Sequence, residues 1–293
     1  MSKINTNINA LTATNALTKN SRDMQLTMQR LSTGQRINGA SDDAAGITIA
    51  TTMTAQINGL NAAIKNANDG ISMLQTADGA LSETSSMLQR MRELAVLSVN
   101  DTYSATQKTA MNTEYGQLHS EIDRIALQTQ WNGMTLLTGS GGLNTAAANS
   151  VGQFTFQVGA NNAQVVSVAI LNMAITSGAN LTPATSMLGG LSTASTIATA
   201  ALAATAITAL DVALTNLNTQ RSTIGATVNR LTRAVDNLTN VAQNTSDSRS
   251  KIEDTDYATA TSDLARQQII AQAATAILAQ ANQQPQYVLS LLK

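Results

Sequence analysis

The chain has 293 residues, 43% of them hydrophobic and only 12% charged, and a net charge of −1 at pH 7. Such a length suggests about two domains of roughly 150 residues with enough apolar mass for a core, and so small a net charge offers no field to draw nucleic acid or acidic lipid. With no cysteine and one histidine, His119, disulfides, thiolate metal sites, cysteine nucleophiles and any centre built on two imidazoles are excluded, so no cofactor and no small-molecule substrate are expected.

In chain order, residues 1–30 contain no unbroken apolar stretch of the kind a cleavable signal peptide requires. No run in the sequence reaches the ~18 apolar residues of a transmembrane helix. Ile4, Ile8, Leu11, Leu17, Met24, Met28 and Leu31 give the first segment an apolar side, and Gly34 and Gly39 then break it. The stretch NGASDDAAG, residues 38–46, holds two adjacent carboxylates. Ser41 is a good N-cap residue, and Asp42 and Asp43 fall in a first helical turn, where carboxylates interact favourably with the helix dipole. A general acid/base pair would also need a pocket and groups that drive the two pKa values apart. Capping is the reading preferred.

From Met53 the positions Met53, Ile57, Leu60, Ile64, Ala67, Ile71, Leu74, Leu81 and Leu88 keep a 4-3 spacing, with polar Asp78 and Ser85 at two seam sites. This predicts one long helix with a coiled-coil seam, from near Ser41 to about Asn100 and roughly 90 Å long at 1.5 Å per residue. A second run, Met111, Tyr115, Leu118, Ile122 and Ile125, ends before QWNG, where Asn132-Gly133 signals a tight turn. His119 sits within it as an ordinary helix-surface group.

The alternation of Phe154, Phe156 and Val158, then Val166, Val168 and Ile170, predicts a β-hairpin. Residues 176–205 are mostly Ala, Ser, Thr and Gly, read as a short surface excursion whose Ala-rich end is a candidate start for the next helix. A third heptad run follows: Ile207, Leu210, Leu214, Leu217, Ile224, Val228, Leu231, Val235, Leu238, Ala242 and Ile252, with Arg221 the only seam charge before Arg249. The methionines mostly occupy seam positions, where they fill gaps rather than bind metal.

Ten of the thirteen residues 269–281, IIAQAATAILAQA, are apolar, and Gln268, Gln272, Thr275 and Asn282 align as one narrow polar stripe. A helix apolar nearly all round must be buried nearly all round. The N-terminal run can cover one side of it, which leaves a second side exposed in a monomer. Thirteen residues are too few to span a bilayer, and no basic face suits anionic lipid. Burial against copies of the same chain is therefore preferred, and such a heterologous contact, if it does not close, yields an open helical filament.

These residues resemble the bacterial flagellins. The likeness runs over residues 1–175 and 205–293, through LSTGQRINGASDDAAGITIA, ISMLQTADGALSETSSMLQRMRELAV, SEIDRIALQTQWNGMTLL, FQVGANNAQ and VLSLLK. It implies a mainly α fold, an elongated antiparallel helical bundle or coiled coil with the N- and C-terminal ends paired and a small β-hairpin region. Residues 1–40 and 256–293 would form a terminal helical inner-tube domain, 41–175 and 205–255 a helical rod domain, and 176–204 a short variable surface segment. By resemblance the protein is a secreted, extracellular, non-enzymatic subunit of the flagellar filament, used for motility. Its implied partners are further copies of itself, the flagellar export chaperone, the filament cap and hook-associated proteins, and a host flagellin-sensing Toll-like receptor. The stretch LQRMRELAV resembles the receptor-read site, with Gln89, Arg90, Leu94 and Glu114 at the matching positions; read without the resemblance, it is a helix face for subunit contacts. The implied polymerisation and chaperone contacts are Ile270, Ala274, Ile277, Leu278, Val288, Leu289, Leu291 and Leu292. Two departures from the family pattern stand out: Trp131 where Phe is usual, and a middle too short for large outer domains. A hook-filament junction protein of the same family and a secreted membrane-active translocator are the competing readings.

Overall fold

A computed structural model describes residues 7–139, 151–173, 187–188, 191 and 196–290, with side chains left out at Val151 and from residue 284 onward. Its elements are α1 (Ile8–Thr33), α2 (Ala44–Val99), α3 (Ala105–Gln128), β1 (Gln130–Trp131), β2 (Met134–Thr135), β3 (Val151–Gln157), β4 (Val165–Leu171), α4 (Ala200–Glu253) and α5 (Tyr257–Ser290). The fold is mainly α, with the first and last helices packed together and two small antiparallel sheets. Contacts divide it into two units, Met1–Ile57 with Gln243–Lys293 and Asn58–Ala242.

In the first unit, the Asn7 side chain accepts the Ala10 N–H to open α1, and Gly34 closes it at φ 74°, where a side chain would be strained. α1 and α5 run antiparallel. Asn7 Nδ2 donates to the Ala281 carbonyl and Asn20 Nδ2 to the Gln267 carbonyl, each at 2.8 Å. Sheltered positions on α1 are Ala10, Ala13, Leu17, Asn20, Met24, Thr27 and Leu31, and on α5 Ala260, Leu264, Gln267, Ala271, Ala274, Leu278 and Ala281. This corrects the expected apolar side of α1. Leu17, Met24 and Leu31 face the partner helix, but Ile8, Leu11 and Met28 are more than half exposed; Ile4 lies outside the described residues. Small residues on α5 accept small ones from α1, polar as well as apolar, so the seam passes through Asn20 and Thr27 rather than through every large apolar group.

The connectors that end α1 and begin α5 are clasped to each other. Gln35 and Asp254 form an antiparallel bridge, flanked by Arg36 N–H to the Glu253 carbonyl at 2.6 Å and Thr255 N–H to the Gly34 carbonyl at 2.9 Å. Gln35 Nε2 adds a bond to Glu253 Oε1 at 2.7 Å, and Arg36 Nη2 one to the Ile252 carbonyl at 2.6 Å.

The cap of α2 differs from expectation. Asp43 Oδ1 accepts the N–H groups of Ala45 and Gly46, at 3.1 and 2.9 Å, while Asp42 Oδ2 accepts the Asn38 N–H of the preceding turn. Asp43, not Ser41, is therefore the capping residue, and Asp42 is spent on the loop. Ile37 is buried beside Gly46, where an added Cβ would lie 2.6 Å from Ile37 Cδ1, so the loop packs down and delays the helix by two residues.

In the second unit one core gathers Leu74, Leu81 and Leu88 of α2, Tyr115 and Ile122 of α3, Phe154, Val166, Val168 and Ile170 of the hairpin, and Leu210, Leu217 and Leu231 of α4. α2 buries a second line as well, Ala63, Gly70, Ala77, Thr84, Met91 and Ser98 at seven-residue intervals. The β3–β4 hairpin rests against α2 at glycines: a Cβ on Gly59 would meet the Ala160 Cβ at 3.0 Å, and one on Gly70 the Phe156 ring at 2.9 Å. Asn132 and Gly133 both have positive φ, 49° and 78°, as a two-residue hairpin turn between β1 and β2 requires. The stretch expected over 176–205 as a surface excursion is anchored in the core at its described apolar positions, while Ala198, Thr199, Ala201, Leu202, Ala204 and Thr205 are exposed and α4 begins at Ala200. Met187, Leu188, Leu191 and Ile197 are buried, because the few large apolar groups of a small-residue segment serve as its anchors. Asn112 Oδ1 accepts from Thr196 Oγ1 and the Ile197 N–H, and Ser98 Oγ donates to the Ile197 carbonyl.

Among the described residues, α4 is long and apolar enough by composition to cross a membrane. On α4, Ala203, Ala206, Leu210, Ala213 and Leu217 face inward, while Leu202, Val212 and Val241 are exposed. The threonines on its other side satisfy themselves, each of Thr219, Thr223 and Thr227 donating to the carbonyl four residues back.

Candidate assembly surface

The seam between α1 and α5 uses one side of each helix and leaves the rest of their apolar surface outward. On α5, Ile269 is 66% exposed, Ile270 45% and Ile277 58%. Ile270 and Ile277, seven residues apart, share one flank. On α1, Ile8 and Leu11 lie open at the end of the pair where Asn7 meets Ala281. Single exposed apolar residues are ordinary and occur on other elements too, such as Ile49, Leu127 and Val212, but three isoleucines within nine residues of one helix mark a surface made for contact. Gln268, Gln272, Thr275 and Asn282 are also exposed.

Of the expected contact residues, Ile270 and Ile277 are available. Ala274 and Leu278 are not, since both are sheltered on the α1-facing side of α5. The two-helix seam claims these positions by the same periodicity that leaves 270 and 277 on the flank. The side chains of Val288 and Leu289, together with Leu291 and Leu292, lie outside the described residues.

A second patch joins α2 to α3 and α4 through charge. Arg90 Nε meets Glu114 Oε1 at 2.8 Å and Arg90 Nη1 meets Glu93 Oε2 at 2.7 Å, while Arg92 Nε meets Asp211 Oδ1 at 2.6 Å. The hydrogen bonds Arg90 donates to Glu114, then to Glu93, raise its pKa further above its ordinary value. Gln89 is exposed beside them, and a groove of about 360 Å³ is lined by Gln89, Arg92, Glu93, Val96 and Leu97. Leu94 does not belong to this surface. It is 2% exposed and points into the core, because the turn that puts Arg90 and Glu93 outward turns position 94 inward.

Neither patch resembles a reaction centre. The carboxylates at 93, 114 and 211 are each tied to an arginine, an arrangement of ion pairs rather than of a general acid beside a general base. Among the described residues no three His, Asp or Glu side chains converge as a metal site would require.

Two sets of working residues escaped the sequence reading. Asp256 caps α5, accepting the Ala258 N–H and Thr259 Oγ1 at 2.9 and 2.8 Å, and these bonds, those from Thr259 first, lower its pKa. An Asp immediately before a helical run is a recognised start signal that would have found it. The clasp at Gln35 and Asp254 had no comparable signal, since it joins segments more than two hundred residues apart.

Comparison with known proteins agrees with this architecture. Residues 4–141 match the bacterial flagellin N-terminal helical region, and residues 207–292 match the bacterial flagellin C-terminal helical region. A flagellin of Bacillus subtilis (strain 168) is 38% identical over 304 aligned residues, covering 99% of this chain and 100% of that one. A flagellin of Halalkalibacterium halodurans is 40% identical over 290, and the flagellar filament 33 kDa core protein of Treponema phagedenis 40% over 294, each comparison covering 99% of both chains. The crystal structure of Bacillus cereus flagellin is 31% identical and superposes with a TM-score of 0.46, covering 59% of this chain and 88% of that one. With both helical regions matched in order and relatives aligned from end to end, the chain belongs to the bacterial flagellin family, a family of structural proteins of the flagellar filament.

Proposed function

We propose that this chain is a filament subunit that self-assembles, outside the cell, into the propelling filament of the bacterial flagellum. The observation that carries the reading is the set of exposed Ile269, Ile270 and Ile277 on α5 with Ile8 and Leu11 on α1, apolar groups that further copies of the chain would bury. In the filament, residues 1–40 and 256–293 line the inner tube, 41–175 and 205–255 surround it, and 176–204 is the variable segment. Export, chaperone binding at Val288–Leu292, and growth between hook-associated and cap proteins follow the family pattern. Gln89, Arg90 and Glu114 present a fixed, charge-paired surface to a neighbouring subunit or a host Toll-like receptor, with Leu94 supporting it from beneath.

The test is seeded polymerisation of the full chain, followed by light scattering and electron microscopy. Long tubes are expected from the unaltered protein, and none from Ile269→Ser with Ile277→Ser at unchanged helix content. Elongation by that variant would overturn the reading. Growth that stops after one layer would favour a junction protein, and liposome leakage by a monomer that never forms fibres would favour a translocator.

A further inference from the structure

The chain contains three Asn-Gly pairs, beginning at Asn38, Asn58 and Asn132. Glycine is the successor that best lets an asparagine side chain react with its own backbone, because without a Cβ the next amide nitrogen swings freely toward the side-chain carbonyl carbon. By sequence alone the three pairs are alike. The fold puts them in three different settings.

Asn58 and Gly59 lie well inside α2. A helix holds each N–H on the carbonyl four residues back, so the Gly59 nitrogen reaches the Asn58 side chain only if α2 unwinds there. The β3–β4 hairpin resists that, since it packs so closely that an added Cβ on Gly59 would stand 3.0 Å from the Ala160 Cβ. Asn38 lies outside any helix but is tied on both sides. Its Nδ2 donates to the Gln35 carbonyl at 2.8 Å and its N–H to Asp42 Oδ2 at 3.0 Å, while the Asp42 N–H returns to the Gly39 carbonyl at 3.0 Å. Ile37, the residue before it, is buried.

Asn132 has none of these restraints. It and Gly133 are exposed, and its side-chain amide makes no hydrogen bond among the described residues. Nothing stands within 4 Å of where a Gly133 Cβ would be. The φ of 49° is one that asparagine tolerates at some cost. The ladder that closes the turn pairs only Gln130 with Thr135 and Trp131 with Met134. So short a hairpin opens locally far more easily than a helix interior does, and opening is what brings the Gly133 nitrogen onto Asn132 Cγ.

We propose that Asn132 is the Asn-Gly site at which the folded chain deamidates. Base removes the Gly133 amide proton, and the nitrogen forms a bond to Asn132 Cγ. The Cγ–Nδ2 bond breaks, and the side-chain nitrogen leaves as ammonia after taking a proton from solvent. Water then opens the five-membered imide. Attack at Cγ gives aspartate, and attack at the main-chain carbonyl gives isoaspartate, whose main chain runs through Cβ. Either product adds a carboxylate to the turn. Isoaspartate also adds one main-chain carbon, which a two-residue turn pairing Trp131 with Met134 has no room for. The site is therefore a mark of molecular age, written by water alone.

The test follows the full, unaltered chain in mildly alkaline buffer over days, beside a second sample in concentrated urea. Both are digested with pepsin at low pH, where imide formation stops, and fragmentation mass spectrometry reads each of the three asparagines. In urea the three should react at similar rates. In the folded chain Asn38 and Asn58 should react about tenfold or more slowly than Asn132. Equal rates at Asn132 and either of the others in the folded chain would overturn the proposal. So would an Asn132 that reacts in urea and stays intact when folded, or a preference for Asn132 that is just as large in urea, since the fold would then not be its cause.

Discussion

Asp78 Oδ1 accepts from Arg221 Nε at 2.8 Å across the facing seams of α2 and α4. Each residue is the charged interruption of its own heptad run, and each interrupts where the other does. The hydrogen bond Arg221 donates to Asp78 is the first cause of its raised pKa. Both side chains keep about a third or more of their surface in water, 34% for Arg221 and 42% for Asp78, so the pair marks alignment more than it adds stability. A double-mutant cycle of Asp78→Asn and Arg221→Gln in urea should give a coupling of about 0.5 kcal/mol. Raising the salt to about 1 M should shrink it.

Capping of α2 separates two neighbouring residues. Asp43→Ala removes the acceptor for two first-turn N–H groups and should cost about 1 kcal/mol, whereas Ser41→Ala should change little. Denaturant midpoints of the two variants decide it. Gly46→Ala should also destabilise, despite the higher helix propensity of alanine, because the added methyl would meet both Ile37 and the Asp43 carboxylate.

Tyr115 is fully buried, and its hydroxyl makes no hydrogen bond. Burial pushes its pKa up to about 12. The folded state therefore holds this proton more tightly than the unfolded chain does. The corresponding stability is complete below the ordinary tyrosine value near pH ~10 and is lost as pH rises through the folded value. Tyr115→Phe should be neutral or stabilising by up to about 1 kcal/mol at pH 7, and it should flatten the fall in urea midpoint as pH rises from about 9 to about 12.

Asp256 has the opposite sign. Its pKa is lowered by the bonds from Thr259 and Ala258, so its contribution is present above the ordinary aspartate range and lost as pH falls through the depressed value. Asp256→Asn keeps the cap without the charge. Helix content followed by circular dichroism from about pH 5 to about pH 2 should fall less steeply in that variant.

The charge-paired patch carries a warning for mutagenesis. Leu94→Ala should open a core cavity and cost about 2–4 kcal/mol, while Gln89→Ala should be close to neutral. A test of the proposed contact role should therefore read Leu94→Ala beside its thermal unfolding, and Glu114→Ala is the cleaner probe of the surface.

What the sequence revealed depended on residue size. Leu60, Leu74, Leu81 and Leu88 announce the seam of α2, and Phe154 to Ile170 announce the hairpin, because large apolar groups at fixed intervals have few other uses. The second buried line of α2 was invisible, since Ala63, Gly70, Ala77, Thr84 and Ser98 look like surface residues until a hairpin or a helix is laid on them. Leu94 was misjudged for a related reason: in a stretch of charged neighbours, its inward direction follows from helical phase rather than from composition. On α1, Asn20 and Thr27 are buried in the seam while Ile8 and Leu11 lie open, because Asn20 is tied to the Gln267 carbonyl and the Thr27 hydroxyl to the Asp23 carbonyl, which satisfies both polar groups.

The first unit draws on residues from Met1 to Ile57 and from Gln243 to Lys293, so neither extremity has a partner until the other is present. Some 185 intervening positions, Asn58 to Ala242, must be made before the two can meet, and the entropy of closing so large a ring falls on the final event of folding. A chain with either tip missing therefore leaves this part unfinished. The open apolar flank of Ile269, Ile270 and Ile277 takes its form only once both tips are in place.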